Sequence, residues 1–290
     1  MPPFPGSIAK FLASDSAFHR RHGVITAFLA ERAGRPVGRV AAIINRSHNE
    51  YHKDRVGFFG FFECEDNPAT ASVLLGKVTE TLLAAGMDAV RGPYNPSIND
   101  DCGILLNRFD QLPIIGLPWN PSYYSKLLED LGFQKARSLY TLNLPLHRLE
   151  PPERFARIVE HMKKRSKLKT RSMNIARLED ELVIVRDVYN ATLERNWGFV
   201  PISMEDLLGA AEDIRAIADP RLLLIGESEG RDAGVAITLP NFNKILAATK
   251  NTPHWLRLLH IFILMKTRKI KTCRQTVLGV VPEFRDRGLH

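Results

Sequence analysis

ERAGRPVG, residues 31–38, returns near the other end of the chain as ESEGRDAG, residues 227–234: Glu31, Gly34, Arg35 and Gly38 recur with identical spacing as Glu227, Gly230, Arg231 and Gly234. Each copy joins two apolar runs, VITAFLA to RVAAIIN in the first and RLLLIG to VAITLPN in the second. Apolar, β-branched runs around a glycine-bearing turn predict a hairpin, because glycine supplies the positive φ that a tight turn needs. Two hairpins this similar predict one structural unit built twice. The alternative is coincidence, since glycine turns recur in unrelated sheets.

Outward from the first hairpin, RVGFFGFFECE (55–65) reads as a third strand, and Asn67-Pro68 opens a helix running to about Ala85, with asparagine as cap and proline preset for the first turn. MDAVRGPYN reads as a strand, SYYSKLLEDLGF as a helix stopped at Gly132, and ARSLYTLNL (136–144) as one more strand. PLHRLEPPERF carries three prolines and reads as a linker. Beyond it come a basic helical stretch, a strand around KTRSMNIAR, helices near 179–194 and 203–217, the second hairpin, a further basic stretch and the strand QTVLGVV. Ser203 and Asp206 resemble a capping box. The expected fold is α/β (α+β), a mixed central sheet flanked by helices and made in two copies: 1–147, a linker with a basic helix over 148–166, and a second copy over 167–290.

Forty Lys and Arg against thirty-two Asp and Glu leave a formal charge of +8 on 290 residues, which favours anionic partners. Cys64, Cys102 and Cys273 are odd in number and widely spaced, so neither a disulfide framework nor a thiolate zinc site is indicated, and a reducing cytoplasm is expected. No run has the length of a signal peptide or a membrane span.

The last strand leads into VVPEFRDRGLH, residues 280–290. Arg285-x-x-Gly288 after a strand resembles the acyl-CoA turn of the GNAT superfamily of N-acyltransferases, in which backbone N–H groups of a tight turn at a helix N-terminus hold the cofactor pyrophosphate. The preceding pair of helices, the ESEGRDAGVAI hairpin and the Pro-Glu at the strand end arrive in that superfamily's order, and RVGFFGFFE, RGPYNPSIND and YYSKLLEDLGF resemble uncharacterised bacterial members. The resemblance implies a tandem protein over about 24–144 and 167–290. It implies acetyl-CoA or another acyl-CoA as co-substrate, bound by Val280, Val281, Arg285, Asp286, Arg287, Gly288 and Leu289, and an amine acceptor, small molecule or peptide, acylated by direct attack on the thioester.

This sequence departs from the superfamily's pattern at His290, where a small residue is expected, and in the first copy, where ECEDNPATAS sets Glu63, Glu65 and Asp66 in the cofactor turn and Leu128 at the acid's position. The second copy stops before the helix it should enter. The resemblance therefore implies a degenerate first copy and an incomplete second one, with weak or no activity alone; a non-catalytic binding module derived from the same superfamily is the alternative. No catalytic residue is assigned, and Glu283 reads as a helix-entry feature.

Asn95, Ser97 and Asn99 lie in a loop dense in hydrogen-bonding groups, read either as a capped turn or as the lining of a substrate groove. His48 and His52 are four apart, but Asn49 stands where a metalloprotease motif has glutamate, so a polar loop is expected and no metal. Tyr123 and Tyr124 read as packing residues and Cys102 as an inert thiol. The basic clusters around 161–171 and 266–271 read as solvated faces or phosphate-binding aids rather than a specific nucleic-acid site; an anionic lipid surface is the other partner their charge admits.

Overall fold

In the computed structural model, which describes residues 7–146, 150, 152–214, 218–267 and 270–285, the two glycine-bearing segments fold the same way. Ala33 and Gly34 have φ of 49° and 73°, Glu229 and Gly230 of 54° and 76°. Two successive positive φ values make the turn whose twist matches that of its strands. Each hairpin also carries a one-residue bulge beside the turn. Ala30 pairs with Gly38 and Glu31 with Pro36, leaving Val37 extra; Gly226 pairs with Gly234 and Glu227 with Asp232, leaving Ala233 extra. The bulges are among the features that the repeated glycines mark.

The chain divides into two compact units, Met1–Ser138 and Leu139–His290. The first contains α1 (Ser7–Leu12), α2 (Ala17–Arg21), β1 (Gly23–Arg32), β2 (Arg35–Asn45), α3 (Arg46–His52), β3 (Val56–Cys64), α4 (Pro68–Ala84), β4 (Ala89–Arg91), β5 (Tyr94–Asn95), β6 (Asp101–Cys102) and α5 (Tyr124–Asp130). Its main sheet is ordered β1-β2-β3-β4, antiparallel except for the parallel pair β3–β4. Asn67 Oδ1 accepts the N–H groups of Ala69 and Thr70 and Pro68 begins α4. Leu74, Leu75, Val78 and Leu82, at helical spacing, bury that helix against Val40 and Phe59 of the sheet and Leu127 of α5. Each such side chain contributes about 1.5–3 kcal/mol. Gly57 lets the contact close, since a Cβ there would strike Leu82.

The second unit contains α6 (Glu153–Ser166), β7 (Leu168–Ser172), α7 (Leu178–Leu193), α8 (Met204–Ile214), β8 (Leu223–Ser228), β9 (Arg231–Pro240), α9 (Asn243–Ala248), α10 (His254–Thr267), β10 (Cys273–Val280) and α11 (Pro282–Arg285). Its sheet, β10-β9-β8-β7, is antiparallel throughout. Leu182, Val185 and Val188 of α7 and Ala211 of α8 pack on Leu223, Ile225 and Val235. Ser203 and Asp206 form the reciprocal cap: Ser203 donates through N–H and Oγ–H to Asp206 Oδ2 at 3.2 and 2.7 Å, and the Asp206 N–H returns to Ser203 Oγ at 3.2 Å.

Both units mix helices and strands, as expected. Several local expectations fail or fall short. Residues 136–144 form no strand, and Tyr140 and Leu142 there are exposed. RSHNEYH is a helix instead of a polar loop, because Asn45 caps it. The basic stretch after the second hairpin holds α9 and α10; α10 is apolar around most of its circumference, so the alternation that marks a surface helix is missing.

Candidate functional site

β2 ends at Asn45, whose buried Oδ1 accepts the His48 N–H at 2.9 Å and starts α3. The cap turns His48 inward. Its ring, 2% exposed, stands edge-on to Phe58 with centroids 4.9 Å apart and lies 4.3 Å from His52. Phe58 stacks on Tyr94 at 4.6 Å. Successive strand residues point to opposite faces, so Phe59 joins the α4 core while Phe58 holds His48 and Tyr94 on the other face of the sheet.

His48 Nε2 lies 3.6 Å from Asp54 Oδ2, and the Asp54 side chain is one-third exposed. Burial, then the neighbouring His52, lowers the His48 pKa to about 4 against the pull of Asp54, with Arg91 adding to the depression. The imidazole is neutral at pH 7. Burial pushes Tyr94 up to about 12, assisted by Cys102 and opposed by Arg91, so its phenol is protonated. Four buried side-chain atoms here, His48 Nε2, Asn49 Oδ1, Asp54 Oδ1 and Tyr94 OH, have no partner with hydrogen-bond geometry among the described residues. Left unsatisfied, such an atom costs roughly 1–3 kcal/mol, and a buried polar cluster with displaced titrations is a candidate site. An accessible carboxylate backed by a buried neutral imidazole can hold and orient an ammonium group.

Asn95 lies next to this cluster. Its Oδ1 accepts the Phe61 N–H at 2.6 Å, and Phe61 has φ of 50°. In β3 the pair Phe61 and Phe62 faces the single residue Val40, so Asn95 satisfies the donor that the bulge takes out of the ladder. Gly60 permits the approach, because a Cβ there would collide with the Tyr94 carbonyl. Ser97 donates through N–H and Oγ–H to Asp100 Oδ2, at 3.2 and 2.6 Å, and its Oγ accepts the Asn99 N–H at 3.1 Å. The structure thus joins Asn95 to the bulge and leaves Ser97 and Asn99 in a self-capped turn.

The acidic segment after β3 is internally bonded. Arg32 pairs with Glu65 at 2.6 Å, Arg39 with Glu63 at 2.6 Å, and the Thr70 hydroxyl donates to Glu65 at 2.7 Å. That hydroxyl is the first cause holding Glu65 below its ordinary pKa, with Arg32 assisting. Tyr124 and Tyr123 do more than pack: the Cys64 N–H donates to the Tyr124 oxygen at 2.9 Å, and the Tyr123 hydroxyl donates to the Cys64 carbonyl at 2.8 Å.

In the second unit, Val280 ends β10, and the Val281 N–H donates to the Ala233 carbonyl at 3.0 Å. Arg285 donates to the carbonyls of Val280 and Thr192, both at 3.0 Å. Phe284 is fully buried, with the Arg231 guanidinium 4.8 Å from its ring centroid. Asp286, Arg287, Gly288 and Leu289 lie outside the described residues.

Sequence reasoning passed over Asp54, Arg91 and Tyr94. Tyr94 stands between two prolines in GPYNP, and Asp54 follows HNEYHK, a segment that reads as a polar loop. Among the described residues no cluster of three or more His, Cys, Asp or Glu could hold a metal.

No protein-family model matches the chain. It is 30% identical over 270 residues to the bacterial ceramide synthase of Caulobacter vibrioides (strain NA1000 / CB15N), covering 91% of this chain and 68% of that protein. It is 26% identical over 266 residues to protein YghO of Escherichia coli (strain K12), covering 91% of this chain and 67% of that one. These matches overturn the expected assignment to the GNAT superfamily. With it go acyl-CoA-dependent N-acetyl transfer and the non-catalytic module derived from that superfamily, because the similarity runs along nearly the whole chain to proteins of another description.

Proposed function

This chain belongs to the family of the bacterial ceramide synthase, and we propose that it joins a fatty acyl group to the amino group of a long-chain amino alcohol, the bond that defines a ceramide. The observation that carries this is the 30% identity over 91% of the chain to a protein of that name. The His48 cluster supports it. Amide formation requires an amine that has lost its proton, and a long-chain amine is an ammonium ion at neutral pH. Asp54, one-third exposed, meets that cation, the neutral, buried His48 ring behind it fixes the carboxylate, and the amine held there releases a proton to solvent. The amine nitrogen then attacks the acyl carbonyl carbon and the C–N bond forms; the bond to the leaving group breaks, and the departing group carries off the electron pair and takes up the second proton that the nitrogen sheds. An acyl-CoA is the donor to test first, its thiolate taking that second proton.

The test is mass spectrometry of the lipid formed when the purified chain is given sphinganine and palmitoyl-CoA. N-palmitoyl-sphinganine is expected. No amide with this or any other long-chain acyl thioester would contradict the proposal.

A further inference from the structure

α10, HWLRLLHIFILMKT over His254–Thr267, has two apolar faces. One is used inside the fold: Ile261, Leu264 and Met265 pack with Phe242 and Ile245. The other reaches solvent. Trp255 is 79% exposed, Leu258 77%, Leu259 56% and Ile263 47%, and Phe262 on the same face is 57% exposed. Positions 255, 258, 259, 262 and 263 follow the spacing that sets residues along one side of a helix. A contiguous exposed apolar stripe of this kind marks an interaction surface rather than ordinary surface composition.

The charge around the stripe selects its partner. Between Asp232 and Glu283 the sequence has no Asp or Glu and eight Lys or Arg, four of them in the run Lys266, Arg268, Lys269 and Lys271 that follows the apolar stripe. A second copy docking on the same face would bring like charges together, whereas an anionic lipid surface neutralises them. A tryptophan at one end of an apolar face and basic residues at the other is the composition of helices that lie in the interface of a bilayer. Among the described residues no helix is long and apolar enough to cross a membrane, so lying on the surface is the geometry that α10 can adopt.

We propose that α10 docks the protein on an anionic membrane surface, with Trp255, Leu258, Leu259 and Ile263 entering the acyl boundary and the net positive charge of this stretch of sequence drawing it to phosphate headgroups. This surface is independent of the acyl-transfer proposal and can stand or fall without it.

The test is flotation of the full chain with vesicles of phosphatidylcholine containing phosphatidylglycerol, beside vesicles of phosphatidylcholine alone. The chain is expected to float with the anionic vesicles and to be released by salt. Trp255→Ser with Leu258→Ser should weaken binding by at least about tenfold, and Lys269→Glu with Lys271→Glu should weaken it and flatten its salt dependence. Trp255 and Leu258 are so exposed that the first pair should leave the circular dichroism and thermal midpoint unchanged, which separates loss of docking from loss of fold. Failure to float with anionic vesicles, or flotation undiminished in the Trp255→Ser, Leu258→Ser variant, would overturn the proposal. So would a dimer of the free chain that fails to float and that the same variant dissociates, which would make the face a self-association surface.

Discussion

The two hairpins share backbone turn and bulge but differ in what braces them. In the first, Arg32 of β1 reaches Glu65 and Thr70 at the start of α4, at 2.6 and 2.8 Å. In the second, the brace arrives from outside the hairpin: Arg171 of β7 donates to Glu227 at 2.6 Å and to both oxygens of the buried Glu181 of α7 at 2.8 Å. The strands that follow diverge as well. β3 bulges at Phe61 and lies beside the Asn95 loop and the His48 cluster, whereas β10 runs into Phe284 and Arg285, which are spent on packing and on carbonyls of α7 and β10. A repeated turn preserves backbone conformation, because only glycine is at ease at that φ. The side chains around it are free to become either a brace or a site.

The largest expected effect is at the close approach peculiar to the first unit. Gly60→Ala drives a Cβ into the Tyr94 carbonyl, a backbone atom that cannot rotate aside, and should cost about 3 kcal/mol or more by denaturant unfolding. Arg171→Ala strips the charge partner from Glu181, which is 6% exposed, and should cost roughly 2–4 kcal/mol. A loss below 1 kcal/mol would show that the second hairpin is not braced in this way.

The His48 cluster gives the first unit a pH signature. The folded-state pKa, about 4, lies below the ordinary 6.5, so the unfolded chain binds the proton more readily. The stability is complete above pH 6.5 and is lost as pH falls from there toward 4, by at most about 3 kcal/mol. His48→Gln should remove this part of the slope, read from denaturant midpoints across pH 4–7. An unchanged slope would place the acid sensitivity elsewhere. Smallest is the test of the repeat itself: Gly34→Ala and Gly230→Ala, at φ of 73° and 76°, should each cost about 1 kcal/mol and by similar amounts. Clearly unequal losses would mean that the two turns are alike in sequence only.

The hairpins were legible because glycine spacing reports φ directly, and α4 because Asn67-Pro68 and its leucine period are local signals. The site was not. His48 faces inward only because Asn45, at the end of a strand, caps the helix, and its neighbours Phe58 and Tyr94 come from later elements that no local pattern connects to it. SLYTLNL has the alternation of a strand but pairs with nothing among the described residues, since pairing is a property of the partner as much as of the sequence. α10 hid for the opposite reason: with both faces apolar it has no polar side to reveal its period. The resemblance built on Arg285 and Gly288 rested on a short terminal motif, while the relationship to the ceramide synthase family is spread at low identity along the chain, where inspection of one sequence does not see it.

The most direct measurement is the rate of N-palmitoyl-sphinganine formation by the wild-type chain, Asp54→Asn and His48→Gln, with circular dichroism confirming that all three are folded. The account predicts a loss of at least about a hundredfold in both variants, with the loss in kcat rather than in the KM for the acyl donor. Wild-type kcat in either folded variant would contradict the placing of the reacting amine at the His48 cluster.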